Sequence, residues 1–274
     1  MRDHLSDRRA HPSLPVSIFE AFGGRIVRGL TETGRTASMM IAALRWMLGG
    51  RLEFRETVLQ IHRIGVDPVY IVLVTGAFTG MVLAYQTARQ FLDFGAQAFV
   101  GGLVGLSMAR EAGPVFTAIT AAGWVGAGIA AEIGTMAVTE QIDALRVLAT
   151  NPVRYLVVPR LAAAALALPM LTMLANVVGG IGGYAVATAA GVSPGTFIVS
   201  VQRYLEPWDL AAGLVKAFFF GLIIAAVGCS RGLDATGGAD GVGRAARSAV
   251  VTAILWILVS NFFLDLILFR GGRQ

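Results

Sequence analysis

The chain has 274 residues, of which 55% are hydrophobic and only 14% are charged, and its mean hydropathy is +0.69. Soluble domains carry about 25% charged residues, so this composition excludes a disordered chain, argues against an ordinary water-soluble enzyme and favours a membrane protein. The net charge of +5 comes from arginines that flank or interrupt apolar runs, which favours charges at membrane edges over a nucleic-acid-binding surface.

The N-terminal region divides into a polar segment and two amphipathic ones. Residues 1–15 are polar and charged, with no apolar stretch like that of a signal peptide, and we interpret them as a cytoplasmic tail. Residues 16–50 place apolar residues at helical spacing opposite arginines, which predicts a helix lying in the membrane interface or packed on the protein's own core. Gly49-Gly50 ends that helix, and Arg51–Arg63 forms a second amphipathic stretch. Residues 16–65 are therefore predicted to be interfacial helices.

Apolar windows predict five membrane spans between residues 66 and 270. About 20 apolar residues suffice to cross the hydrocarbon core. The predicted spans cover about residues 68–88, 96–131, 155–190, 207–230 and 248–269. Gly191, Pro194 and Gly195 break the third window, so we read one long span followed by a surface segment, with two spans as the alternative.

The loop charges orient these spans. With the N-terminus inside, the inner segments hold ten arginines before Asp67, three between Glu132 and Arg160, and three from Arg231 to Arg247. The outer segments hold only four arginines. Positive charge concentrates on the cytoplasmic side of membrane proteins, so we predict a cytoplasmic N-terminus and a C-terminus on the far side of the membrane.

Three ionisable residues are predicted to lie at membrane depth, where a charged side chain is energetically unfavourable and commonly has a function. Arg110 and Glu111 stand in the middle of the second span, and Lys216 lies within the fourth. Pro114 has no N–H to bond the Arg110 carbonyl, so a kink and a free carbonyl are expected beside this pair. Glu111 either neutralises Arg110 or Lys216 to hold the bundle together, or lines a substrate cavity with them.

The side chains needed for a metal or nucleotide site are missing from the sequence pattern. His4, His11 and His62 have no metal-ligand spacing, and Cys229 is the only cysteine. Lys216, the only lysine, stands between Val215 and Ala217, whereas a phosphate-binding loop requires Gly-Lys-Ser/Thr. We therefore predict no cofactor in this chain; in an ATP-driven process, a partner would bind the ATP and magnesium.

The segment 131–160, AEIGTMAVTEQIDALRVLATNPVRYLVVPR, predicts a short amphipathic helix on the cytoplasmic side. Thr139 is positioned to cap its start, with Glu140 in the first turn. Ile142, Leu145 and Leu148 or Ala149 then share one face, and Asn151-Pro152 ends the helix. A permease could insert such a helix into a partner ATPase.

The same region carries a specific resemblance. Residues 110–160 closely resemble the MlaE (YrbE) family of lipid-transport permeases, especially in the block Glu-x-Gly-Thr-Met followed by Thr-Glu-Gln-Ile-Asp-Ala-Leu. Gly80–Leu83, the region around Lys216 and the loop Arg231–Gly243 extend the likeness to nearly the whole chain from about residue 20. Trp124 departs from it, because many members have arginine there.

The resemblance implies an all-α integral membrane protein that works as the permease half of a homodimeric transporter. It implies an interfacial N-terminal helix, five spans and a cytoplasmic coupling helix over about Met136–Thr150, with residues 66–270 forming the permease domain. The implied partners are a cytoplasmic ATPase, a ring of MCE-domain proteins on the outer side and a small STAS-domain protein. The family moves phospholipids or other lipids between the bacterial inner membrane and the outer envelope.

The resemblance also implies two sets of functional residues. The lipid cavity at the dimer interface maps onto Leu83, Phe91, Phe94, Arg110 and Glu111. We add Lys216, because its ammonium group suits an anionic headgroup. The ATPase-coupling residues are Glu132, Thr139, Glu140, Asp143 and Arg146.

Two other function classes fit parts of the pattern less well. An intramembrane enzyme acting on lipid could use Glu111 as an acid or base, but no second carboxylate, Ser-His pair or metal set is predicted at the same depth. An ion-coupled secondary transporter could use Glu111 as a proton carrier, but such proteins usually have more spans and internal repeats. The residues therefore favour the permease of an ATP-driven lipid transporter.

Overall fold

The computed structural model describes residues 14–49 and 53–270, and all regular structure within these ranges is helical. This confirms the all-α prediction. Of the predicted tail, residues 1–13 lie outside the described ranges, and Leu14 and Pro15 already belong to the first helix. The helices are α1 (Leu14–Leu48), α2 (Phe54–Gly65), α3 (Val69–Asp93), α4 (Gln97–Val138), α5 (Gln141–Val147), α6 (Val153–Ala189), α7 (Pro194–Tyr204), α8 (Pro207–Leu233) and α9 (Gly238–Phe269).

Five of these helices, α3, α4, α6, α8 and α9, are long and apolar enough to cross a membrane, as predicted. The third window is a single span, with the short helix α7 after it. The structure differs at some helix ends: α9 begins at Gly238 rather than near residue 248, and α4 continues to Val138. The reason is that a helix does not have to stop where its apolar stretch stops, and Asp240 and Arg244 occupy the polar extension of α9.

The core lies where α6 and α8 pack together with α4. Leu161, Leu168, Phe220 and Ile224 are fully buried in it. Gly221 permits this packing, because a Cβ there would lie 2.4 Å from the carbonyl oxygen of Ala164. Small residues at helix contacts allow backbones to approach closely within membranes.

The C-terminal half of α1 packs against this core, so for that half the packing alternative holds. Ala43 is fully buried, and Met39 and Met47 lie against the same cluster. Nearer the middle of α1, Glu32 forms a 2.6 Å ion pair with Arg231 at the end of α8. A location of α1 in the membrane interface stays a prediction.

The second amphipathic helix, predicted over Arg51–Arg63, is present as α2 from Phe54 to Gly65, whereas Arg51 and Leu52 lie outside the described residues. Its buried face carries Thr57, Gln60 and Ile64, whereas Phe54 is largely exposed. This helix is short and packs along α6, which places its polar residues beside the first turns of that span.

Candidate functional site: a charged cluster at membrane depth

Lys216 is the centre of a charged cluster inside the bundle. Its side chain is 0% exposed, and its ammonium nitrogen donates to the Arg110 carbonyl at 2.8 Å and to Glu111 Oε1 at 2.6 Å. It also contacts the carboxylate of Asp265 on α9. A buried ammonium is strongly destabilising unless it is paired and hydrogen-bonded, and here two hydrogen bonds and an ion pair with Asp265 surround it.

The backbone of α4 supplies one of those acceptors because its hydrogen-bond ladder is interrupted. Residues Met108–Ala112 form a π-helical turn in which the Gly113 N–H donates to the Met108 carbonyl. Pro114 follows and has no N–H to offer the carbonyl of Arg110. Lys216 donates to this carbonyl, which Pro114 cannot bond. Such π-helical turns occur frequently at functional sites.

Glu111 forms an ion pair with Lys216. Of the two cations that the sequence offered as its partner, Arg110 and Lys216, the structure therefore shows Lys216. Its Oε2 accepts a second hydrogen bond, 2.9 Å long, from the side-chain amide of Asn261. Asp265 stands one turn after Asn261 on α9 and shares the same lysine. Asn261 and Asp265 were not predicted as site residues, although both are polar residues within an apolar span.

Arg110 has a different partner, Asp209 at the start of α8. Nε and Nη2 of Arg110 lie 2.7 and 2.6 Å from Asp209 Oδ1. The Asp209 side chain is 1% exposed, and its Oδ2 accepts the backbone N–H of Glu206 at 2.9 Å in a capping box. The guanidinium also lies over the ring of Phe269, 4.6 Å from its centroid. Asp209 and Phe269 were not predicted as site residues from the sequence.

The three apolar residues implied by the resemblance do not join this cluster. Among the described residues, no hydrogen bond, ion pair or ring contact links Leu83, Phe91 or Phe94 to it. Phe91 packs near Phe99 with ring centroids 6.5 Å apart, and Phe94 is 85% exposed at the end of α3. Their assignment to a lipid cavity stays a prediction.

An apolar groove of about 530 Å³ runs beside the cluster between α4, α6, α7 and α8. Ala109 and Leu210 line it, and they are chain neighbours of Arg110 and Asp209. The remaining walls include Val177, Tyr184 and Phe197. None of the six residues predicted to contact lipid lines this groove.

The predicted cytoplasmic helix exists as α5, but its ends differ from the prediction. Thr139 does not cap α5, because α4 extends to Val138 and the Thr139 hydroxyl donates back to the Thr135 carbonyl at 2.7 Å. Glu140 is the N-cap residue instead and has a positive φ of 62°. The helix ends at Val147, with Ala149 at a φ of 56°. Asn151 accepts the Val153 N–H at the start of α6 rather than ending α5.

The apolar face predicted for α5 is present in part. Ile142 is buried and Leu145 packs against the core, but Leu148 is largely exposed because the chain has already left the helix. Asp143 and Arg146 form an exposed ion pair 2.7 Å long. They and the exposed Glu140 are accessible for contacts with another protein.

Glu132, the remaining predicted coupling residue, lies on α4 and binds within the chain. Its carboxylate forms ion pairs of 2.9 Å with Arg63 of α2 and with Arg160 of α6. Arg160 is almost completely buried and also donates to the Leu156 carbonyl. Glu132 therefore ties three helices together at this end of the bundle.

Trp124, the position at which the resemblance implies arginine, lies on a second π-helical turn of α4, Ala122–Gly126. Its ring packs edge-on against Tyr70 of α3, with centroids 5.9 Å apart. Both side chains remain about half exposed. Trp124 therefore makes an aromatic contact to α3.

Comparison with known proteins identifies the family of this chain. A family model described as Permease MlaE matches residues 57–267. The chain is 48% identical to the probable ABC transporter permease slr1045 of Synechocystis, over 82% of this chain and 86% of that protein. It is 34% identical to the intermembrane phospholipid transport system permease MlaE of Haemophilus influenzae, over 94% and 99% of the two chains.

The chain is also similar to a plant protein. The chain is 39% identical to the chloroplastic protein TRIGALACTOSYLDIACYLGLYCEROL 1 of Arabidopsis thaliana, over 82% of this chain and 65% of that protein. The family model covers Arg110, Glu111, Lys216 and Asp265 of the charged cluster. The chain therefore belongs to the MlaE family of ABC transporter permeases.

Proposed function

We propose that this chain is the membrane-spanning subunit of an ATP-driven transporter that moves a phospholipid or a related lipid between the inner membrane and the outer envelope. The observation that carries the proposal is the cluster of Arg110, Glu111 and Lys216 inside five apolar helices of an MlaE permease. A lipid substrate requires apolar walls for its chains and a few polar groups for its headgroup. The names of the Haemophilus and Arabidopsis relatives, which refer to phospholipid transport and to a glycerolipid, support lipid as the substrate.

ATP hydrolysis belongs to a separate subunit, because the sequence contains no Gly-Lys-Ser/Thr segment. We place the docking site for that ATPase at α5, whose end exposes Val147 at 86% and leaves Asp143 and Arg146 accessible. Glu140 and Ala149 flank the helix with positive φ angles. Strained backbone of this kind concentrates at functional sites.

The working assembly is a homodimer with two ATPase copies, a ring of MCE-domain proteins outside the membrane and a STAS-domain protein on the ATPase. α3 exposes a continuous apolar face and α9 is mostly unburied, so both present surface to lipid or to a second copy. The distribution of arginines supports a cytoplasmic N-terminus and a periplasmic C-terminus.

Native mass spectrometry of the tagged chain, extracted gently from its own membrane, tests the assembly. We expect two copies of the chain, two ATPase subunits, an MCE multimer and bound lipid. A bare monomer without an ATPase would contradict the proposal. Lipid transport in reconstituted vesicles tests the energy source: it should require ATP, and transport driven by a proton gradient alone would indicate a secondary transporter.

A further inference from the structure

A small polar cavity of about 200 Å³ lies at the end of the bundle that carries α5, between α2, the last turns of α4 and the first turns of α6. Leu59 and Tyr155 line it and are themselves exposed, so the cavity opens between them, whereas Arg160 in its wall is almost completely buried. The cavity admits a small polar group but not a helix, which is about 10–12 Å across. No residue of the cluster around Lys216 lines it.

The helix α2 turns its polar face towards this cavity. Glu56, Gln60 and Arg63 follow one another at intervals of four and three residues, so they share one face, and all three line the cavity. Phe54 and Val58 lie on the opposite face and are exposed. A surface helix of a water-soluble protein has the reverse arrangement. An apolar face that points outwards fits a helix in contact with acyl chains.

Two polar side chains of this face have no partner in the part of the chain that the structure describes. Gln60 is only 7% exposed, and no described group bonds its side-chain amide. Glu56 has no cation within ion-pair distance among the same residues. Buried polar groups almost always have a hydrogen-bond partner, so these two require water or a ligand inside the cavity.

The far end of the cavity is positively charged. Glu132 forms ion pairs of 2.9 Å with both Arg63 and Arg160, so this group of three keeps one net positive charge. Arg63 uses Nη1 for its pair, and within the described ranges nothing accepts a hydrogen bond from its Nε or Nη2. The unpaired carboxylate of Glu56 lies two turns away on α2, about 10 Å along the helix. A matching ligand is therefore anionic at one end and cationic at the other.

We propose that this cavity binds the zwitterionic headgroup of a phospholipid from the leaflet on the α5 side. The free edge of Arg63 binds the phosphate by charge-assisted hydrogen bonds. Glu56 pairs with the ammonium group, and the amide oxygen of Gln60 accepts a second hydrogen bond from it. The acyl chains leave past Leu59 and lie beside α2. This lipid is not the transported substrate, so the inference goes beyond the proposed function and does not depend on it.

Site-directed photocrosslinking of the full chain with its copurified partners tests the site. The vesicles contain equal amounts of phosphatidylethanolamine and phosphatidylglycerol, and one of the two lipids is radiolabelled at a time. Benzoylphenylalanine in place of Leu59 reports the lipid at the mouth of the cavity. The same group in place of Val58 is the matched control, because Val58 is also about half exposed but does not line the cavity.

We expect the labelling ratio of phosphatidylethanolamine to phosphatidylglycerol to be about threefold or more higher at residue 59 than at residue 58. This is the size of effect expected for a partly exposed, charge-assisted contact. The ratio at residue 58 reports the bulk lipid in the same vesicles. Equal ratios at the two positions would show that only bulk lipid reaches the cavity and would refute the proposal.

Charge variants at residue 56 separate recognition from packing. Glu56→Gln should lower the ratio at residue 59 to the value at residue 58, and Glu56→Lys should reverse the preference towards phosphatidylglycerol. Glu53→Gln should leave the ratio unchanged, because it removes a carboxylate at the start of the same helix that does not line the cavity. If Glu56→Gln and Glu56→Lys changed the labelling by both lipids equally, the role of Glu56 would be structural and the proposal would be wrong.

The remaining outcomes also decide the question. An excess of phosphatidylglycerol at residue 59 in the unaltered chain would mean that the arginines alone select the lipid, which would overturn the proposal. Soluble phosphoethanolamine that abolishes the preferred labelling would support the site and assign it to the free compound, whereas failure to compete would assign it to the membrane lipid. The experiment measures no transport, so its failure would leave the proposed function intact, and a failure of ATP-driven transport would leave this site intact.

Discussion

The ammonium nitrogen of Lys216 lies 2.8 Å from the carbonyl oxygen of Arg110, so a side chain of α8 completes the backbone hydrogen bonding of α4. The interrupted turn of α4 would otherwise leave a polar carbonyl without a partner at membrane depth, where water cannot replace it. Lys216, Glu111 and Asp265 thereby connect α8, α4 and α9 through one group of charges.

Lys216→Met should destabilise the protein strongly. Removal of one member of a buried ion pair leaves the other charges uncompensated, which typically destabilises by about 3–5 kcal/mol. Here Glu111 and Asp265 would face each other without a cation, and the Arg110 carbonyl would lose its donor. The free energy of unfolding in detergent should fall by about that amount.

The double variant Glu111→Gln/Lys216→Met is the control for this interpretation. It removes the cation and one of its two carboxylates together, so it should recover part of the lost stability. A Lys216→Met variant as stable as the wild type would show that the cluster does not hold the three helices together.

Gly80→Ala should separate α3 from α6. A Cβ at residue 80 would lie 2.0 Å from the carbonyl oxygen of Gly179, and backbone atoms cannot move aside as a flexible side chain can. Overpacking of this kind typically destabilises by about 1–3 kcal/mol. Thermal unfolding in detergent should show a clearly lower midpoint.

Gly180→Ala on α6 is the matched control. A Cβ there would meet no atom within 4 Å. Alanine also favours a helix over glycine by about 0.5–1 kcal/mol, so this variant should be as stable as the wild type or slightly more stable. If both alanine variants unfold at the same temperature, close packing at Gly80 is not required.

The contact between α1 and the end of α8 should contribute little stability by itself. Glu32 and Arg231 form a 2.6 Å ion pair, but the Glu32 side chain is nearly half exposed, so solvent screens the interaction. A double-mutant cycle with Glu32→Gln and Arg231→Gln should give a coupling energy of at most about 1 kcal/mol that decreases at high salt. A coupling of several kcal/mol would mean that this pair is shielded from water in the working protein.

Val147→Asp should prevent association with the partner ATPase without unfolding the permease. Val147 is 86% exposed at the end of α5, so a charge there leaves the core intact but places a carboxylate in an apolar contact. The measurement is the amount of ATPase that copurifies with the tagged chain.

Val199→Asp is the control for this experiment. Val199 is also exposed, but it lies on α7, which follows α6 and therefore stands at the other end of the bundle from α5. Its substitution should leave ATPase recovery unchanged. Equal recovery with Val147→Asp and Val199→Asp would place the ATPase contact elsewhere on the chain.

The prediction about Thr139 failed for a local reason. Thr139 has the residue type of an N-cap, and Glu140 follows it as in many helix starts. As an N-cap, the Thr139 side-chain oxygen would accept a backbone N–H of the next helix, but α4 is still helical up to Val138. The hydroxyl therefore donates back to Thr135, as serine and threonine commonly do within helices.

The five spans, and the ionisable residues inside them, could be predicted from the sequence, because each depends on a short stretch of chain and on the bilayer as solvent. The pairing of Glu111 with Lys216 and of Arg110 with Asp209 could not be predicted in this way. Which charges meet depends on how each helix is rotated and shifted against its neighbours. That arrangement follows from contacts spread over the whole bundle, such as Gly221 against Ala164, and no single segment encodes it.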